Sequence, residues 1–167
     1  MVIIIFGVSG AGKTTIGKLL ARDLRWRFIE ADDFHPAANI EKMRSGHPLT
    51  DNDRWPWLEQ LRQQIERSLC ARENAVLACS ALKRAYRDRL HVSDEIKFVF
   101  LRGDYALVQK QLRSRHGHFM NATLLQSQFD ALDEPESDEN VVTIELGRRP
   151  EEIVERIKTS LDLTAKG

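Results

Sequence analysis

The sequence predicts an α/β domain in which a five-stranded parallel sheet carries helices on both faces. Three observations carry that prediction: five short apolar, β-prone runs, helical periodicity between them, and a glycine-rich turn joining the first run to the first helix. Strands linked through helical crossovers pair in parallel with right-handed connections, which yields a doubly wound sheet. A length of 167 residues suits one domain spanning 1–167, and no repeat, linker or low-complexity tract interrupts it.

Val2–Phe6 is an unbroken apolar run that stops at Gly7, too short for a helix and suited to a strand buried on both faces. Past the turn, Ile16, Leu19, Leu20 and Leu24 recur at helical spacing and form an amphipathic helix able to pack back onto that strand. Phe28 and Ile29 make a second short strand that runs into the acidic cluster Glu30, Asp32 and Asp33. A short helix is expected around Ile40 and Met43. A longer one is marked by Leu58, Leu61, Ile65 and Leu69, with Pro56 in its first turn. Residues 75–79, 96–101 and 141–144 read as strands three, four and five. Asp104 is placed to cap a helix through Leu107, Val108 and Leu112, and a further helix carries Leu124, Leu125 and Phe129. Pro150 opens the last helix, with Ile153, Val154 and Ile157 on its inner face.

The chain carries 25 basic and 25 acidic residues, so it lacks the positive field that draws proteins to nucleic acid or anionic membrane, and a small-molecule partner is expected. No stretch approaches the roughly 18 apolar residues of a membrane span. No basic segment precedes the apolar run at Val2, so a cytoplasmic location is expected rather than secretion. Cys70 and Cys79 show neither C-x-x-C nor zinc spacing and read as reduced and structural. Trp55, Trp57, Phe119 and Phe129 read as core or interface anchors rather than cofactor stackers.

Gly7-Val8-Ser9-Gly10-Ala11-Gly12-Lys13-Thr14 fits G-x-x-x-x-G-K-[ST], and it lies between a buried strand and an amphipathic helix, the context that pattern requires. The glycines allow a tight turn that aims several N–H groups at one anion, and the helix N-terminus adds its positive end. Residues 7–15, ending at Thr15, are expected to bind ATP, with Lys13 at the β- and γ-phosphates and the Thr14 hydroxyl on accompanying Mg²⁺. A guanine-reading N-K-x-D is absent, and strand three ends in Cys79-Ser80 instead of a metal-binding aspartate. The acids end strand two instead.

With strand two beside the P-loop strand, Asp32 would face the region where the γ-phosphate meets an acceptor. It could take the acceptor hydroxyl proton or bind Mg²⁺ through water, and both roles stay open. Asp33 and Glu30 are weaker candidates, and His35 could contact acceptor hydroxyls. Arg54, and the pair Lys83 and Arg87 one helical turn apart, could hold an anionic acceptor, arginine suiting a carboxylate through two parallel hydrogen bonds. Arg113-Ser114-Arg115-His116-Gly117-His118 reads as part of a mobile lid over about 113–122, with Arg113 and Arg115 bringing positive charge to the transferring phosphoryl group.

Beyond the P-loop, the chain carries Asp32-Asp33-Phe34-His35-Pro36, Asn39-Ile40-Glu41-Lys42-Met43, Gly46-His47-Pro48-Leu49 and Asp51-Asn52-Asp53-Arg54-Trp55-Pro56-Trp57-Leu58. Cys79-Ser80-Ala81-Leu82-Lys83, Tyr86-Arg87-Asp88, Gly117-His118-Phe119 and Gln128-Phe129 follow in order. This series resembles the gluconokinase family, small P-loop kinases related in fold to shikimate and nucleoside monophosphate kinases. The resemblance implies Mg²⁺-dependent transfer of phosphate from ATP to the 6-hydroxyl of D-gluconate, a small helical lid and, in many members, a homodimer. It also implies an acceptor-binding insertion over about 34–58, with Asp32, Arg54, Lys83 and Arg87 lining the acceptor site. Glu30 departs from the aspartate common at that strand end, and Leu132-Asp133-Glu134-Pro135 stands where Leu-Glu is commoner before the proline. A shikimate-type kinase is the nearest rival reading, and a nucleotide-switched binding module is the rival from another class.

Overall fold

The computed structural model describes residues 1–114 and 122–163. Five strands form the sheet: β1 (Val2–Phe6), β2 (Arg27–Glu30), β3 (Ala75–Ala78), β4 (Ile96–Arg102) and β5 (Val141–Glu145). They are ordered β2-β3-β1-β4-β5, and every pairing is parallel. All five residues of β1 are fully buried, as an unbroken apolar run at the centre of a two-faced sheet should be. β3 lies between β1 and β2, so the expectation that strand two borders the P-loop strand is corrected. The short apolar run 75–79 takes the place between them, with both its faces buried.

Alternation along β1 divides the core in two. Val2, Ile4 and Phe6 pack with Trp57, Leu58, Leu61 and Ile65 of α3 (Asp51–Cys70) and with Tyr86 and Leu90 of α4 (Arg84–Leu90). Ile3 and Ile5 pack on the opposite face with Ile16 and Leu20 of α1 (Lys13–Leu24) and with Ile153, Val154 and Ile157 of the last helix, Pro150–Ser160. Between β2 and α3, a 3₁₀ turn (Ala31–Phe34) leads into α2 (Ala37–Arg44). α5 (Tyr105–Arg113) starts on the expected cap, with Asp104 Oδ1 accepting from Leu107 N at 2.8 Å, and α6 (Ala122–Ala131) follows. Pro150 stands at the first position of the last helix, as read from sequence.

Pro56 does not open α3. The helix starts at Asp51, five residues earlier, on a capping box in which the Thr50 hydroxyl accepts from Asp53 N (3.2 Å) and the Asp53 carboxylate accepts from Thr50 N (2.8 Å). Two reciprocal bonds at the end outweigh the single ladder bond the exposed proline withholds further in. Of the expected lid, residues 115–121 lie outside the described residues. Because the sheet is parallel, the segments after β1, β2 and β3 emerge at one edge, and the site forms there.

Candidate active site

At the end of β1 the chain turns through Gly10 (φ 82°) and Gly12 (φ 94°), left-handed conformations that side chains rarely adopt. A Cβ on Gly10 would also sit 2.5 Å from Leu112 Cγ. Several loop amides are held by the protein itself: Gly7 N donates to Ser80 O (3.3 Å), Ala11 N to Val8 O (3.2 Å) and Ser9 N to Gln128 Oε1 (2.6 Å). Lys13 Nζ folds over the loop to donate to Val8 O at 3.0 Å. α1 has no acidic residue in its first turn, so its positive end remains available to an anion.

Thr14 Oγ1 donates to Glu30 Oε2 at 2.5 Å. Burial raises the Glu30 carboxyl above its usual range, opposed by the bond from Thr14. A hydroxyl that gives its proton to a carboxylate keeps its lone pairs for a hard cation, which suits Mg²⁺ at Thr14. Sequence reasoning placed Glu30 below Asp32, although an acid at the tip of a strand was the signal to follow.

Asp32 is exposed in the 3₁₀ turn, its carboxylate 3.8 Å from His35 Nε2. The His35 ring is only 5% exposed and stacks on Trp57, with centroids 4.2 Å apart and planes 13° apart. Asn39 Nδ2 donates to His35 Nδ1 (3.3 Å) and to Asp53 O (2.9 Å). Nδ1 therefore accepts, and Nε2 carries the ring proton on the side of Asp32. Burial lowers the His35 pKa and favours this neutral ring. Trp57 Nε1 donates to Ala31 O at 2.8 Å, joining α3 to the tip of β2.

Arg54 Nη1 donates to Leu49 O (2.7 Å) and to the Tyr86 hydroxyl (3.4 Å), while Tyr86 in turn donates to Asp51. Lys83 Nζ meets the same Asp51 oxygen at 2.8 Å, and this bond is the chief cause of the lowered Asp51 pKa. Lys83 thus stands beside Arg54 and Tyr86 with its charge already partnered.

Arg87, expected in the acceptor site, is instead a structural cation. All five of its N–H groups are used: two on Glu139 (2.7 and 2.9 Å) and three on the carbonyls of Ala81, Leu82 and Asp133 (2.9–3.1 Å). The side chain is 2% exposed, with Cζ 4.9 Å from the Phe6 ring centre. Lys83 precedes α4 rather than belonging to it, so spacing of one turn does not put the pair on a common face.

One cavity of about 260 Å³ gathers these groups. Ser9, Lys13 and Gln128 line it on the loop side, and Asp32, His35, Arg54 and Trp57 line it on the other. Its size lies just under the ~300–1,000 Å³ of drug-sized ligand pockets, which fits a smaller molecule. Lys13, Asp32, His35 and Arg54 are therefore brought together as expected from sequence. Arg113 ends α5 in an exposed position, and Arg115 lies outside the described residues. Tyr86 and Gln128 were missed as lining residues. Gln128 did carry a signal, a polar side chain one turn after buried Leu124 on the apolar stripe of α6. Among the described residues, no group of three or more His, Cys, Asp or Glu side chains is arranged to hold a metal ion.

The shikimate kinase family model matches residues 9–162. A probable gluconokinase of Xenopus tropicalis is 42% identical over 178 residues, spanning 97% of this chain and 94% of the relative. The solved structure of a gluconokinase from Sinorhizobium meliloti 1021 superposes with a TM-score of 0.83 at 39% identity, covering 96% of this chain and 94% of that one. The shikimate kinase of Aquifex aeolicus shares 19% identity with a TM-score of 0.61 over 97% of this chain and 96% of that one, a likeness of fold alone.

Proposed function

The chain belongs to the gluconokinase family, and from that premise we infer that it transfers the γ-phosphoryl group of ATP to the 6-hydroxyl of D-gluconate, releasing 6-phospho-D-gluconate. The observation that carries this reading is the shared cavity: a phosphate loop with its lysine opens into the same space as an aspartate, a histidine and an arginine.

The division of labour follows from chemistry. Loop amides and Lys13 hold the β- and γ-phosphates, and Lys13 follows the charge as it moves to the leaving oxygens. Thr14, backed by Glu30, is where Mg²⁺ would be held, supplying charge that offsets the phosphate oxygens. Asp32 accepts the proton of the 6-hydroxyl, within reach of the neutral Nε2–H of His35. Arg54 takes the carboxylate at the far end of the acid, with Lys83 beside it. The lid arginines expected from sequence, Arg113 and Arg115, would bring positive charge to the transferring group and help exclude water.

Mg²⁺ carried with ATP, a homodimeric assembly and a cytoplasmic setting complete the reading. No helix among the described residues is long and apolar enough to cross a membrane. An assay of ADP release against a panel of acids, gluconate and shikimate among them, tests the reading directly. Gluconate is expected to drive release. Release driven by shikimate alone, or independent of every acceptor, overturns it.

A further inference from the structure

The carboxamide of Gln128 lies where the phosphate loop meets the acceptor cavity, and none of the roles above uses it. A backbone amide only donates, so the atom 2.6 Å from Ser9 N is Oε1. With Oε1 engaged there, Nε2 and its two hydrogens remain to donate elsewhere. Gln128 lines the cavity together with Lys13 and Asp32. Its helix is seated by the buried Leu124 and Leu125, which anchors the glutamine stem. Contact with Ser9 places the carboxamide at the phosphate-loop side of the cavity. A neutral donor at that place suits a neutral oxygen, since the phosphates already have a lysine and a helix N-terminus.

We propose that Gln128 determines specificity: Oε1 steadies the phosphate loop, and Nε2 donates to the acceptor hydroxyl next to the one phosphorylated. On the acceptor assigned above, on which this inference rests, that is the 5-hydroxyl of gluconate. A site built around such a bond discriminates against the analogue lacking the hydroxyl, because the donor is left unpaired.

The test compares D-gluconate with its 5-deoxy and 2-deoxy analogues, using the wild-type enzyme, Gln128→Met and Gln128→Glu. Methionine keeps the length of the side chain without polar atoms, and glutamate keeps an oxygen for Ser9 N while removing the donors. In the wild type, kcat/KM is expected to fall on the order of tenfold for the 5-deoxy acid. In Gln128→Met gluconate and its 5-deoxy analogue should come within about twofold of each other, with the 2-deoxy response unchanged. Gln128→Glu, whose carboxylate can accept from the 5-hydroxyl, should keep a preference for gluconate. A merely structural glutamine would lower activity on all three acids alike. Full 5-hydroxyl discrimination in folded Gln128→Met overturns the proposal, as does a loss confined to the 2-deoxy acid. A wild-type enzyme inactive on every acid overturns the acceptor itself, a failure visible before any variant is made.

Discussion

On the phosphate side of the cavity, the binding groups are main-chain amides and one lysine drawn from a single stretch, residues 7–14. On the proposed acceptor side they are side chains from separate segments, Asp32 and His35 after β2, Arg54 on α3 and Tyr86 on α4, with Gln128 of α6 reaching the loop from outside it. The first half is a local object whose geometry follows from glycine positions and a helix start. The second exists only once α2, α3, α4 and α6 have packed around the sheet edge. Charge placement differs too: Lys13 donates within its own loop, to the carbonyl of Val8, while Arg54 and Lys83 are tied into a network across elements through Tyr86 and Asp51.

The contrast breaks most visibly where the halves meet. Lys13→Ala is expected to lower kcat by roughly 10³-fold or more, and Asp32→Ala by roughly 10²–10⁴-fold, in steady-state assays at saturating ATP and gluconate. If Asp32→Ala raised only KM, the carboxylate would be a binding group and not the base. Next in size is Arg87→Ala, which leaves Glu139 buried without its partner and should cost about 3–5 kcal/mol of stability in urea denaturation. Its KM for gluconate should stay that of the wild type, because no Arg87 donor reaches the cavity; a selective rise in that KM would return Arg87 to the acceptor side.

Arg54→Ala sharpens the comparison from the other direction. Loss of a charged hydrogen-bonding partner should raise KM for gluconate roughly 10- to 100-fold with KM for ATP unmoved. Equal changes in both constants would mean that the two halves are not separable. The smallest effect concerns acid. The bond to Arg87 holds the Glu139 carboxyl below its ordinary value of 4.5, so its contribution to stability is complete above that value and is lost as pH falls through the lowered one. Glu139→Gln should therefore be less stable at neutral pH, yet lose stability less steeply below pH 4.5 than the wild type. Parallel pH curves for the two proteins would assign the acid limb to other groups.

What sequence revealed follows the same divide. Residues 7–14, the caps at Asp104 and Pro150, and the apolar strands were legible because each depends on neighbours within one turn or one strand. Strand order was not, since nothing local in residues 75–79 says that they insert between β1 and β2. Arg87 was misread because an arginine beyond a strand end looks the same whether it faces a ligand or Phe6 and Glu139. Glu30 was underweighted because its partner, Thr14, lies on the preceding helix, and Gln128 was missed because its partner, Ser9, is 119 residues away.

The bond from Trp57 to Ala31, with His35 stacked on the same indole, has a consequence for which acids react. Trp57 follows Arg54 by three residues on α3, and Ala31 immediately precedes Asp32, so one ring sets the span between the proposed carboxylate grip and the proposed base. Such a span acts as a ruler. An aldonate one carbon shorter or longer would still be gripped at its carboxylate, but its terminal oxygen would stop about 1.5 Å from the reactive position. A misplacement of that order can slow chemistry by about 10²-fold, so chain length would be sensed in turnover more than in affinity.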